Sequence, residues 1–216
     1  MRFARQVTLA AGALAALLMA APASAAVISF DFTGGNSPLD GPNGNTRTFN
    51  AGGISVDARA FAIENDGNAR SGYLGHYNSG LGVTNRFEGT SSHVVDNSGF
   101  IDYVRFFFSE AVTVTEIILT VFDGTNADVT YRIGSSSSTP IDLDISAPPN
   151  PVTAQLPTTG ESTAFRLYAQ FGESSSDFKI TGLTVKTADE VPEPAALALL
   201  GLGLAGLGML RRRRTV

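Results

Sequence analysis

Few side chains in this sequence are placed to do chemistry, and they are scattered. His76 and His93 stand seventeen residues apart in a stretch rich in Gly, Asn and Ser. Protein zinc sites set paired ligands a few residues apart and draw heavily on cysteine, of which this chain has none. The absence of cysteine also excludes a disulfide framework and a thiolate nucleophile. No Gly-x-Ser-x-Gly turn is present, so the many Ser and Asp residues define no hydrolase triad. No carboxylate pair stands out for glycoside hydrolysis either. On these grounds the chain reads as a non-enzyme. Asp123, Asn126 and Asp128 share one turn between two apolar runs, and hard oxygen ligands on a loop suit Ca²⁺. Their spacing is not that of an EF-hand, and a structural calcium is the only cofactor the sequence suggests. Asp142 and Asp144 share one side of Ile-Asp-Leu-Asp-Ile and read as a solvated face. Gly201-x-Gly203-x-x-Gly206 spells the dinucleotide fingerprint. It lies inside an apolar run ten residues from the end, with no strand before it. Close helix packing accounts for it better.

Charge narrows the partners. The net of −5 conceals an uneven distribution. All twenty acidic residues lie between Asp31 and Glu193, where only nine basic residues stand, a net of −11 for that span. Such a surface attracts divalent ions diffusely and argues against nucleic acid, whose binding needs a basic face.

The two ends carry different information. Arg2 and Arg5 precede an apolar run from Val7 to Ala21, and Ala23-Ser24-Ala25 supplies a small-x-small cleavage site. The run's fifteen residues would span about 22 Å as a helix, short of a membrane core of about 30 Å. Residues 1–25 therefore read as a signal peptide for the Sec translocon, removed by signal peptidase. At the other end, Ala195 to Leu210 form a second apolar run, closed by Arg211, Arg212, Arg213 and Arg214. A helix over 195–210 predicts a transmembrane anchor, and the basic stop at 211–214 holds its end in the cytoplasm.

Val191-Pro192-Glu193-Pro194 stands just before that run. The motif, the apolar helix and the arginine cluster, in that order, resemble the PEP-CTERM sorting signal, here over 188–216. The resemblance implies processing at or near Pro-Glu-Pro by an exosortase, a membrane-embedded transpeptidase of cysteine type. It also implies a Gram-negative host that makes exopolysaccharide or biofilm matrix. Both prolines lack an N–H and hold the backbone extended, so the helix cannot run back into the preceding domain. An extended, polar segment at the membrane face is one that a transpeptidase can thread.

Residues 26–187 carry the period-two alternation of strands. Phe165, Leu167, Ala169 and Phe171 alternate with Arg166, Tyr168 and Gln170. Val104, Phe106 and Phe108 alternate with Tyr103, Arg105 and Phe107, and Val129, Tyr131 and Ile133 with Thr130 and Arg132. Further strands are expected over 27–33, 54–63, 112–122, 141–145, 152–156 and 178–185. In 112–122 the phase slips, which predicts a bulge near Glu116. Phe106-Phe107-Phe108 predicts a strand buried on both faces. The stretch Gly67 to Gly99 reads as long loops. Nine or so short strands without intervening helices predict an all-β, antiparallel β-sandwich or jelly roll. Gly80-Leu81-Gly82-Val83, Val95-Asp96-Asn97 and Phe106 to Val112 are similar to β-rich ectodomains found with PEP-CTERM tails, most of which have no assigned activity.

The sequence thus describes an exported protein, held for a time at the inner membrane and then delivered to the cell surface or extracellular matrix. A non-catalytic matrix role fits best, a carbohydrate (exopolysaccharide)-binding module comes second, and a hydrolase last. Tyr73 and Tyr77 are the only clustered aromatic candidates for stacking on sugar.

Overall fold

One stretch, Ile101–Val121, organises the rest of the chain. The computed structural model describes residues 25–35, 45–85, 93–122, 128–135, 137–145, 149–157, 160–170 and 177–188. Among these lie twelve strands, all paired antiparallel. In chain order they are β1 (Val27–Asp31), β2 (Thr46–Ala51), β3 (Ile54–Ile63), β4 (Ala69–Ser71), β5 (Tyr73–Tyr77) and β6 (Gly80–Thr84). There follow β7 (Ile101–Val121), β8 (Val129–Ile133), β9 (Ile141–Leu143), β10 (Val152–Gln155), β11 (Glu161–Ala169) and β12 (Phe178–Thr187). They belong to one compact unit, Ala26–Ala188.

β7 is long enough to serve two layers. Its first half pairs with β3 and β11, and beyond them stand β2 and β4 on one side and β8 and β9 on the other. Its second half pairs with β12 and β10, and β12 carries β1 and β6, with β5 outermost. Between the halves, pairing with β11 jumps from Ser162↔Val112 to Ala164↔Phe107, so four residues of β7 oppose Thr163 alone. Ser109, Glu110 and Ala111 are exposed there, and the Ser55 N–H donates to Ser109 Oγ at 3.1 Å. At this corner the strand passes from one layer to the other. A second irregularity lies at Thr115, where pairing with β12 passes from Thr184↔Glu116 to Val185↔Val114. That is the bulge expected near Glu116. It moves the buried set from Val112 and Val114 to Ile117, Leu119 and Val121, so both stretches face the core.

The core sits between the layers. Phe32, just beyond β1, stacks on Phe106 with ring centroids 5.5 Å apart, and Phe30 meets Phe108 at 6.1 Å. Phe49 of β2 reaches Phe32 at 4.7 Å. Each fully buried ring of this kind contributes about 1.5–3 kcal/mol. The far end of β7 is closed by Asn150, whose side-chain amide donates to the Val121 carbonyl at 2.8 Å and accepts from its N–H at 3.1 Å.

The all-β expectation holds, with corrections in detail. The runs expected at 104–108 and 112–122 are one strand. The stretch Gly67–Gly99, expected to be loops, contains β4, β5 and β6, and β2 was not expected at all. These short strands offer too few apolar positions to display a period, and β6 alternates glycine with its apolar residues. The glycines of β6 serve close approach instead. A Cβ on Gly82 would collide with the His93 carbonyl, and Gly80 takes φ 115° against the Ile180 carbonyl. Phe107 is half-buried, and its outer face is covered by arginines rather than by another sheet.

Residues 26–188 alone should fold and give a β-type far-UV circular dichroism spectrum; a helical spectrum would refute the architecture. Gly82→Ala in that fragment should lower stability by at least about 1–3 kcal/mol, because backbone rather than a flexible side chain must move. An unchanged urea midpoint would show that β6 does not pack as described.

Candidate functional site

The outward face of the first layer holds the densest collection of polar chemistry. Alternation sends Val104, Phe106, Phe165, Leu167 and Tyr131 inward, so Arg105, Arg166 and Arg132 point to the opposite side. The register then aligns them: Arg59↔Arg105, Arg105↔Arg166 and Arg166↔Arg132 are direct partners across β3, β7, β11 and β8. Beside this row runs an aromatic one, Phe61↔Tyr103↔Tyr168. Phe61 and Tyr103 stack at 5.1 Å and Tyr103 and Tyr168 at 4.5 Å. On the other flank Phe107 lies under two guanidiniums, with Arg105 at 4.0 Å and Arg59 at 5.0 Å from its ring centre. Arg132 sits 5.6 Å from the Tyr168 ring centre.

These contacts hold the cations without neutralising them. Arg166 is buried and donates from Nη1 to the Gly134 carbonyl at 2.6 Å. Among the described residues neither Arg105 nor Arg166 pairs with a carboxylate; Arg59 has a loose contact to Asp57 at 3.8 Å. Arg105 Nε is buried without an acceptor, a deficit of about 1–3 kcal/mol. Burial, and then the charge of Arg166 beside it, hold the Arg105 guanidinium below its ordinary pKa. It remains a cation at neutral pH. Tyr103 is pushed up to about 12, first by burial and then by Tyr168, while Tyr168 is raised by burial. Both phenols therefore stay protonated, and with Arg166 they are buried, so the middle of this face is packed rather than open.

The residues singled out from the sequence stand elsewhere. His76 Nε2 lies 3.2 Å from the Thr33 carbonyl with Phe49 edge-on to its ring, and His93 Nδ1 lies 3.0 Å from Thr84 Oγ1. Both belong to local packing. Among the described residues no three or more His, Asp or Glu side chains are grouped to hold a metal ion. Asp123 and Asn126 lie outside the described residues. Asp128 is buried, and its Oδ1 accepts from the Ile145 N–H at 2.8 Å, tying the start of β8 to the end of the β9 segment. Asp142 and Asp144 are exposed, accepting from Thr130 at 2.6 Å and Gln170 at 3.3 Å. Tyr73 is half exposed, but Tyr77 is covered by the His93 ring and by Lys179, whose Nζ lies 4.2 Å from its ring centre. In the Asp96-Asn97 pair, Asp96 Oδ1 accepts from the Ser98 N–H at 2.9 Å and Asn97 donates to the Gln170 carbonyl at 3.1 Å. Both are structural.

Ala23, the motif Val191 to Pro194, the apolar run and Arg211 to Arg214 lie outside the described residues, and Ala25 opens the first described segment. Among the described residues no helix is long and apolar enough to cross a membrane. The family model of the PEP-CTERM protein-sorting motif matches residues 190–214, taking in the Pro-Glu-Pro, the apolar run and the four arginines. The chain carries a PEP-CTERM sorting signal. That signal implies an exported protein, anchored by its C-terminus until an exosortase processes it. No curated protein and no solved structure matches the chain significantly.

The Asp128 contact predicts that Asp128→Ala lowers stability by about 1–3 kcal/mol, since a buried backbone donor loses its acceptor. The loss should appear equally with calcium and with chelator present. A loss confined to calcium-containing buffer would instead assign the turn to an ion.

Proposed function

We propose that the chain is an exosortase-processed surface or extracellular-matrix protein whose β-sandwich is non-catalytic. The observation that carries this is the PEP-CTERM match at residues 190–214. The N-terminal segment supports the same route: the Sec translocon exports the chain, and signal peptidase cuts after Ala25. The C-terminal run then holds it at the inner membrane until exosortase acts near Pro192-Glu193-Pro194. The delivered domain belongs to the cell surface or biofilm matrix, and its work there is to bind or to fill space. The mature protein should lack residues 195–216. Intact mass measurement decides it: a mass that includes the four terminal arginines would sink the processing reading.

A second reading, a carbohydrate-binding module, is favoured by one observation, the guanidiniums braced by aromatic rings on one sheet face. Sugars are held by side chains that offer rigid donors beside apolar ring surface. The mature protein should bind a subset of polysaccharides on a glycan array, and a blank array would leave the matrix reading without this addition.

A further inference from the structure

Phe122 follows β7 on the outward face of the second layer. Alternation sends Leu119 and Val121 into the core and turns Thr120 and Phe122 out. Phe122 is 50% exposed, one of three large apolar side chains left so among the described residues. Its N–H donates to the Asp177 carbonyl at 3.0 Å, so the ring stands on paired backbone. Lys179 of β12 is the direct partner of Thr120, and its Nζ lies 5.0 Å from the Phe122 ring centre and 4.2 Å from that of Tyr77. Among the described residues Lys179 pairs with no carboxylate. The β12–β7 pairing skips Thr181, whose hydroxyl lies 2.9 Å from Thr120 Oγ1. Thr181 donates to the Ser79 carbonyl at 3.3 Å, so Thr120 donates to Thr181 and keeps its own lone pairs.

We infer that this corner binds a sugar unit bearing a carboxylate, with its ring on Phe122, its acid group on Lys179 and a hydroxyl on Thr120. The inference rests on the carbohydrate-binding reading. It moves the contact off the arginine face, whose middle is filled by Arg166, Tyr103 and Tyr168. One face of a pyranose is made of C–H bonds, and an exposed phenyl ring takes it out of water. A carboxylate makes a charge-assisted bond to an ammonium, and it competes with no other carboxylate among the described residues. Burial holds Lys179 below its ordinary pKa, and a carboxylate beside it favours the charged form. Two rings already brace the ammonium, so less side-chain freedom is lost on binding. Tyr73 is equally exposed at 50%, but among the described residues no cation stands at its ring. Lys179 is eight residues from Thr187, roughly 26 Å along β12 from the strand end that leads to the sorting signal.

The test uses the mature protein recovered from cells, with trigalacturonate as the probe in titration calorimetry. Its full methyl ester, in which every acid group is neutral, is the comparison ligand. Trigalacturonate should bind, the ester should bind at least tenfold more weakly, and added salt should weaken the acid form. Phe122→Ala and Lys179→Gln should each lose at least tenfold in affinity. Tyr73→Ala and Lys186→Gln, at the other exposed ring and the chain's other lysine, should bind as the unmodified protein does. Reductive methylation read by mass spectrometry locates the contact without any substitution: the probe should shield Lys179 and leave the exposed Lys186 open. That readout decides the matter even where a variant unsettles the fold. Four outcomes would overturn the inference: no binding of trigalacturonate, equal binding of the ester, equal losses in the Tyr73 and Lys186 variants, or labelling of Lys179 that the probe leaves unchanged. Binding of neutral glycans alone would overturn it while leaving the carbohydrate-binding reading intact, and no glycan binding of any kind would end both.

Discussion

A single strand shared by two layers is the constraint on which the structure depends. β7 has core-facing residues in both halves, and a strict alternation cannot hold one face inward through a change of layer. Two local irregularities solve this. The exposed Ser109–Ala111 corner lets the strand change layers, and the bulge at Thr115 resets the phase so that Ile117, Leu119 and Val121 return to the core. Thr115 keeps its hydroxyl occupied by donating to the Thr184 carbonyl at 3.2 Å, so the bulge leaves no polar side chain stranded. Every other strand is joined to one half of β7 directly or through intervening strands.

The same strand sets the two faces of the first layer apart. Its inward residues build the phenylalanine core with Phe30 and Phe32. Its outward residues, Tyr103, Arg105 and Phe107, bring together side chains from β3, β11 and β8. The inward face is stabilised by burial of apolar surface. The outward face combines stacked rings, which stabilise, with facing guanidiniums, which do not. Burial of the inward face offsets the second term.

Sorting and folding use separate parts of this chain and different physics. The PEP-CTERM signal is contiguous in sequence, over residues 190–214, and implies processing by an exosortase. The β unit from Ala26 to Ala188 answers to pairing and burial. The last described strand ends at Thr187, ahead of the matched signal at 190–214.

The sequence by itself determined whatever depends on local order. The sorting signal is contiguous, and strands such as Ile54–Ile63 and Val129–Ile133 are long and apolar enough to display their period. The bulge near Glu116 was legible because a phase slip is visible without knowing the partner. Strands β4 to β6 were not: β4 is three exposed residues with no apolar period, and in β6 glycines chosen for close approach to Ile180 and His93 erase the pattern, for a reason that lies a hundred residues away or across a loop. Arg105, Arg132 and Arg166 were each visible as the polar member of an alternating run. Their alignment was not, since nothing local says that Arg59 lies beside Arg105, or Arg105 beside Arg166. Only the register of four strands made one row from residues far apart in sequence, because pairing partners are selected by the packing of the whole core rather than by any one strand.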